Sequence, residues 1–294
     1  MGMTVVEDPE SLRISWEGTE LARYVFAPWD AQVESPRPYL HPLRTLGGDV
    51  VSLYRPHDHV WHKGIAWSLP HVGPANFWGG PTFRRDVGYE QLANNGTTRH
   101  QSFSSVSASG SAVTLAEELV WETEQGDKWF AEWRDLSFTV VPGGWALRFA
   151  TSFTNVSADE IVIGSPTTAG RPNAGYGGLF WRGPRSFTGG EVLVPGGSGG
   201  DELMGVRAPW LAFRGRHDDH GRVSTLVFVA EGDTRWFVRS QPFACVCPAP
   251  FFDTEVPVAP DETLTFRYTV IVADGSPDPA GLVATAPGGP GSPS

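Results

Sequence analysis

The densest group of reactive side chains is His57-Asp58-His59-Val60-Trp61-His62-Lys63-Gly64, which sets three imidazoles and a carboxylate within six residues. On an extended chain His57 and His59 point one way and Asp58 and His62 the other, whereas a bend near Trp61 draws the three rings together. Neutral imidazoles bind zinc and other divalent ions. Imidazole is also the side chain whose ordinary pKa suits proton transfer at working pH. A third reading has the rings lining a polar cleft and hydrogen-bonding one another. Acid/base or ligand-binding work by His57, His59 and His62 is the leading expectation. A divalent metal on the same three residues is the alternative, and no other cofactor is expected.

Flanking segments supply groups that suit a sugar. Pro38-Tyr39-Leu40-His41-Pro42-Leu43-Arg44 offers an imidazole and a guanidinium, and Asn76-Phe77-Trp78-Gly79-Gly80 an amide beside stacking aromatics. Aromatic faces pack on the C–H faces of sugar rings while Asn, His and Arg bond hydroxyls. The glycine-rich run from Gly170 to Arg185 adds Arg171, Tyr176, Trp181 and Arg182 without an acid. It lacks the Lys-Ser/Thr ending of a phosphate loop, and its arginines suit an anionic or oxidised sugar group. Two other groups carry less. His217-Asp218-Asp219-His220 reads as a solvated turn, and Cys245 and Cys247 have no second cysteine pair to complete a zinc pattern. No Gly-x-Ser-x-Gly elbow and no dinucleotide fingerprint is present.

The elements that must position these groups are strands. Glycine (35) and proline (25) make about a fifth of the 294 residues, against a usual share near 12%, and both are poor helix formers. Twelve tryptophans and 17 phenylalanines supply a large core. From Phe103 to Ile163, apolar residues alternate with polar ones between the turns Ser109-Gly110, Gly126-Asp127 and Pro142-Gly143-Gly144, which predicts an antiparallel meander. Arg13–Trp16 and Leu21–Phe26 predict an opening hairpin; Arg222–Ala230, Arg235–Arg239 and Leu264–Val272 predict closing strands. Stretches 27–100, 164–190 and 195–221 read as long loops and hold all eight histidines. The expectation is an all-β fold, a large antiparallel β-sandwich with long loops, as one domain over 1–276 followed by a disordered Gly/Pro/Ser-rich tail over 277–294.

A net charge of −11 without a basic cluster excludes a nucleic-acid partner and disfavours an anionic membrane surface. Apolar runs such as Leu226–Ala230 are far shorter than the roughly 20 residues that span a bilayer. The N-terminus lacks a signal-peptide pattern, and two cysteines one residue apart are badly placed for a disulfide. A cytoplasmic setting is therefore expected. Nothing in the pattern specifies an oligomeric state.

Taken together, Pro38–Arg44, Pro56–Gly64, Asn76–Pro81 and Gly175–Arg182 resemble the bacterial family named "methane oxygenase PmoA". The likeness runs from about Ser11 to Gly275. Members often carry two adjacent histidines after Asp-His-x; here Trp61 takes the first of those places, so that place offers no imidazole. Membrane methane oxidation does not follow from the name, because the chain has no spanning segment. In fold, the resemblance implies a galactose mutarotase-like supersandwich whose concave face binds sugars. Trp236-Phe237-Val238-Arg239-Ser240-Gln241-Pro242-Phe243, followed by Ala259–Leu264, resembles the closing segment of mutarotases. Where those enzymes carry a glutamate base, this chain has Arg239. A guanidinium stays protonated at working pH, which excludes aldose 1-epimerase chemistry by that route and assigns Arg239 to a carboxylate or a carbonyl.

The expectation is thus a carbohydrate-active protein, an enzyme of lyase, isomerase or hydrolase type. His57, His59 and His62 would act as acid and base, and His41, Arg44, Asn76, Trp78, Arg171, Tyr176, Trp181, Arg182 and Arg239 would bind the sugar. The competing classes are a metal-dependent enzyme and a non-catalytic sugar-binding module.

Overall fold

The computed structural model describes residues 2–286 and is built almost wholly of antiparallel strands. Following hydrogen-bonded neighbours, the main sheet runs Met3–Asp8, Ser11–Trp16, Thr19–Val25, Tyr39–Leu43, Ile65–Ser68, Gly178–Arg182, Cys245–Pro248, Val223–Arg239, Thr263–Asp274, Gly144–Asn155, Lys128–Val141, Ala112–Glu122 and Thr97–Ser109. Its two ends approach, since the Met3 amide donates to the Gly110 carbonyl at 2.8 Å. The result is a nearly closed β-sandwich, in line with the sequence pattern.

Two closing strands expected as separate are one. Val223–Arg239 pairs through its first half with Arg207–Arg216 and Thr263–Asp274 and through its second half with Cys245–Pro248. Even-numbered residues such as Leu226, Phe228, Trp236 and Val238 enter the core, and Phe237 and Arg239 take the opposite face, where Phe237 is buried in a second cluster with Trp78 and Phe180.

The stretches read as loops contain strands. Tyr39–Leu43, Ile65–Ser68, Gly178–Arg182 and Arg207–Arg216 all lie in them. In the last, Pro209 sits in a bulge between Ala208 and Trp210, and this breaks the alternation that would have revealed the strand. At the C-terminus, Asp278 accepts hydrogen bonds from the Ala280 and Gly281 amides and Pro279 opens a short helix, Pro279–Thr285. Leu282 and Val283 pack on Val227 and Ile271. The first part of the expected tail is therefore ordered, because its apolar face finds a partner; residues 287–294 lie outside the described residues. No helix among the described residues is long and apolar enough to cross a membrane.

Trp121, Trp145 and Trp236 fill the core as their strands predict. Trp133 does not. In Lys128–Val141 the inward parity belongs to Phe130, Glu132, Arg134, Leu136 and Phe138, so Trp133 faces out. The buried charges satisfy one another: Arg134 Nε donates to Glu132 Oε1 at 2.8 Å, and Trp121 Nε1 and Thr151 Oγ1 donate to the same carboxylate at 2.7 Å.

Candidate functional site

The histidine segment is a tight hairpin. Arg55 N donates to His62 O and Gly64 N to Leu53 O, while His59 N bonds Pro56 O and His62 N bonds His59 O across consecutive turns. Its base is clamped by buried charge. Lys63 Nζ pairs with the carboxylates of Glu34 and Asp30, Arg55 grips Glu34 with two nitrogens, and Arg37 Nη2 donates to the Trp61 carbonyl at 2.7 Å. These contacts fix where the hairpin's rings point.

Two of its imidazoles lie face to face. The His59 and His62 centroids are 4.7 Å apart with 13° between planes. Asp58 Oδ2 bonds His59 Nδ1 at 2.9 Å, and Arg182 Nη1 bonds His62 Nδ1 at 3.1 Å. Asp58 also takes Arg182 Nη2 at 3.3 Å and Arg185 Nη2 at 2.6 Å. Burial would raise the Asp58 pKa, but the hydrogen bonds from His59 and Arg185 and the Arg182 charge hold it well below the usual carboxylate range. Burial, followed by the charges of His59, Arg182 and Arg37, pushes the His62 pKa well below its ordinary value.

These rings face a cavity of about 610 Å³. Its walls are aromatic, with Trp61, Trp78, Tyr89, Tyr176, Phe180, Phe237 and Phe243; its polar lining comes from His59, His62, Arg171 and Arg239. Strand alternation decides which neighbours enter. In Gly178–Arg182, Phe180 lines the cavity and Arg182 stands behind it against the Phe243 ring at 3.8 Å. Trp181 points the other way into the core, where its Nε1 donates to Val51 O. Trp78 is presented by Asn76, whose Oδ1 accepts from the Trp78 and Gly79 amides at 2.8 and 2.9 Å. Gly80 has φ +67°, and a Cβ there would lie 2.7 Å from the Trp61 ring, so the wall requires glycine.

The structure brings His59, His62, Trp78, Arg171, Tyr176 and Arg239 together on one cavity. Arg182 and Asn76 act from behind it. His57 does not converge with the other rings: the turn at Pro56–His59 carries it to the surface, where its Nδ1 accepts from Arg185. His41 and Arg44 lie apart. His41 Nδ1 bonds Ser52 Oγ at 2.8 Å, and burial, then the charges of Arg44 and Arg23, push its pKa down to about 4; Arg44 holds the Gly48 carbonyl. The expected substrate contacts of His41, Arg44 and Trp181 are therefore absent from this cavity. A three-imidazole metal site is not formed either, and a guanidinium on His62 Nδ1 is a poor neighbour for a cation.

Sequence reasoning missed the roles of Tyr89, Phe180, Phe237 and Phe243. Phe180 and Phe237 each stand two residues before an expected arginine, which on a strand is the same face. A larger concavity, about 1010 Å³, lies on the open sheet face beside Asp135, Arg148 and Arg267, but no imidazole reaches it. His217, Asp219 and His220 also cluster, yet His217 Nε2 is bonded to Ser224 Oγ and His220 Nε2 faces the carboxylates of Asp49 and Asp219.

Residues 11–286 match the family of unknown function DUF6807, and the chain belongs to that family. The expected membership of the PmoA family is overturned by this match, and no match to that family is found. No curated protein matches the chain. Solved structures similar to it include a galactose 1-epimerase from Lactobacillus acidophilus NCFM (7% identity, 93% of this chain and 98% of that chain, TM-score 0.43). Others are the GH36 α-galactosidase AgaB from Geobacillus stearothermophilus (12%, 93% and 41%, 0.43) and a mutant of the heparan sulfate lyase HepC from Pedobacter heparinus (9%, 95% and 37%, 0.43). This chain thus spans under half the length of the galactosidase and the lyase. At these identities the likeness is one of fold alone.

Proposed function

Starting from membership of a family of unknown function, we propose that this chain is an enzyme that moves a proton on an oxidised sugar derivative, with His59 as base and His62 as hydrogen-bond donor. The observation that carries this is the opposite polarity of two stacked rings. An ionised carboxylate only accepts hydrogen bonds and a guanidinium only donates. His59 therefore holds its proton on Nδ1, toward Asp58, and presents the Nε2 lone pair. His62 accepts at Nδ1 from Arg182, so the proton of the neutral ring is on Nε2. Neighbouring rings of one residue type are thus set to different tasks.

The chemistry follows from that polarity. A C–H next to a carbonyl gives its proton to His59 Nε2, and Asp58 stabilises the imidazolium that forms. The negative charge that develops on the carbonyl oxygen meets the His62 Nε2–H, which burial and Arg182 keep from charging. Trp78, Tyr176 and Phe180 offer ring faces to the C–H surface of the sugar. The test is a panel of glycosides, keto-sugars and uronates scored for turnover and for a rise in melting temperature. Turnover of at least one sugar class that disappears in His59→Gln is expected; no turnover and no stabilisation by any of them would remove the reading.

A further inference from the structure

Resting on that reading, we propose that the ligand carries a carboxylate and that Arg171 and Arg239 are its anion subsite, which makes the substrate class a ring acid of uronate type rather than a neutral sugar. The chain as a whole is strongly acidic, with a net charge of −11. Its cavity reverses that sign: two arginines line it and no aspartate or glutamate does. A site that collects positive charge within an acidic protein selects anions.

Neither guanidinium is used up by the fold. Arg171 lies over the Tyr89 ring at 4.9 Å and donates to the Tyr89 hydroxyl, and among the described residues it has no acidic partner. Arg239 lies 5.7 Å from the Phe237 centroid and makes one long ion pair, Nη1 to Asp201 Oδ2 at 3.7 Å. The Oδ1 of Asp201 is committed to the amides of Ser240 and Gln241 at 2.6 and 2.9 Å, which holds that carboxylate to the strand end rather than in a bidentate pair. A guanidinium has five N–H donors, so each of these arginines keeps N–H groups that the contacts named do not use, and its planar fork matches a carboxylate.

The placement also fits the proton transfer. When the C–H on the carbon bearing the carboxylate breaks, its proton goes to His59 Nε2. The electron pair moves onto the carboxylate oxygens as an enediolate, and return of the proton restores the acid without any other reactant. Charge builds on the oxygens that the arginines would hold.

Melting-temperature titrations with D-glucuronate and D-galacturonate, their neutral counterparts D-glucose and D-galactose, and benzoate would test this on the full chain. Uronates should stabilise the wild type while the neutral sugars do not. Arg239→Gln and Arg171→Gln should each weaken uronate binding at least about tenfold, and Arg239→Lys by less. Unchanged ligand-free melting temperatures would show that these variants fold. Benzoate binding as tightly as the uronates would support the anion subsite and remove the sugar reading. Neutral sugars binding as well as uronates would overturn the subsite and leave the acid/base reading standing. Failure of every acid to bind would overturn the subsite too.

Discussion

His59 and His62 stand ring on ring, 4.7 Å between centroids, with a carboxylate behind one and a guanidinium behind the other. That pairing predicts two different neutral tautomers in one site. In ¹⁵N-histidine NMR, His62 should show protonated Nε2 and remain neutral well below pH 6.5, since burial and the Arg182 charge oppose its protonation. A His62 that charges near pH 6.5 would contradict the donor role.

Asp58 orients the base without touching the cavity. Replacing it by asparagine, whose amide can turn a donor toward Nδ1 and reverse the tautomer, should lower kcat by about 10²–10⁴-fold. Ligand affinity should change little. Kinetics of Asp58→Asn on whichever sugar acid is turned over checks this, and an equal loss in KM would assign Asp58 to binding instead.

Stability should fall with acidification in a defined window. Burial lowers the pKa of His41 to about 4 and that of His62 well below its ordinary 6.5. Below about pH 6.5 the unfolded chain therefore binds protons that the fold refuses. Stability is full above that value and declines as pH falls toward 4, at up to about 1.4 kcal/mol per pH unit for each such histidine. Urea midpoints near pH 7.5, 6 and 5 would show it; maximal stability at pH 5 would contradict it.

Gly80 underlies the Trp61 wall. Gly80→Ala should cost about 1–3 kcal/mol, push Trp61 off its seat and shift tryptophan fluorescence, because the new methyl would lie 2.7 Å from the indole. Gly88→Ala is the control. It shares the positive φ but meets nothing within 4 Å, and should cost roughly 1 kcal/mol with the cavity intact.

Glu132 and Arg134 are a buried pair, and neither lines the cavity. Glu132→Leu alone should cost about 3–5 kcal/mol, since it removes the carboxylate that pairs with the buried Arg134 and accepts from Trp121 and Thr151, whereas adding Arg134→Met should recover part of that loss. A double-mutant cycle in urea measures the coupling, and additive costs would show that the pair does not act as a unit.

The meander was legible because both of its faces differ: Val113, Leu115 and Trp121 point in while Thr114 and Glu118 point out. Gly178–Arg182 was not, for it is buried on both faces and leaves no alternation to tell that Phe180 rather than Trp181 faces the cavity. The histidine segment revealed its chemistry but not its geometry. One turn at Pro56–His59 separates His57 from His59, which an extended chain would have left on one side. Tyr89 and Arg171 meet across 82 residues, a contact that no local spacing encodes.

The most direct test of His59 as the base is deuterium wash-in. Wild type and His59→Gln are incubated with D-glucuronate and D-galacturonate in D₂O, and the C–H beside the carboxylate is followed by proton NMR. Loss of that signal is expected in the wild type, with a rate at least about 10²-fold lower in the variant. Equal rates in the two proteins would contradict His59 as the base, and retention of the signal in the wild type would contradict proton removal beside the carboxylate.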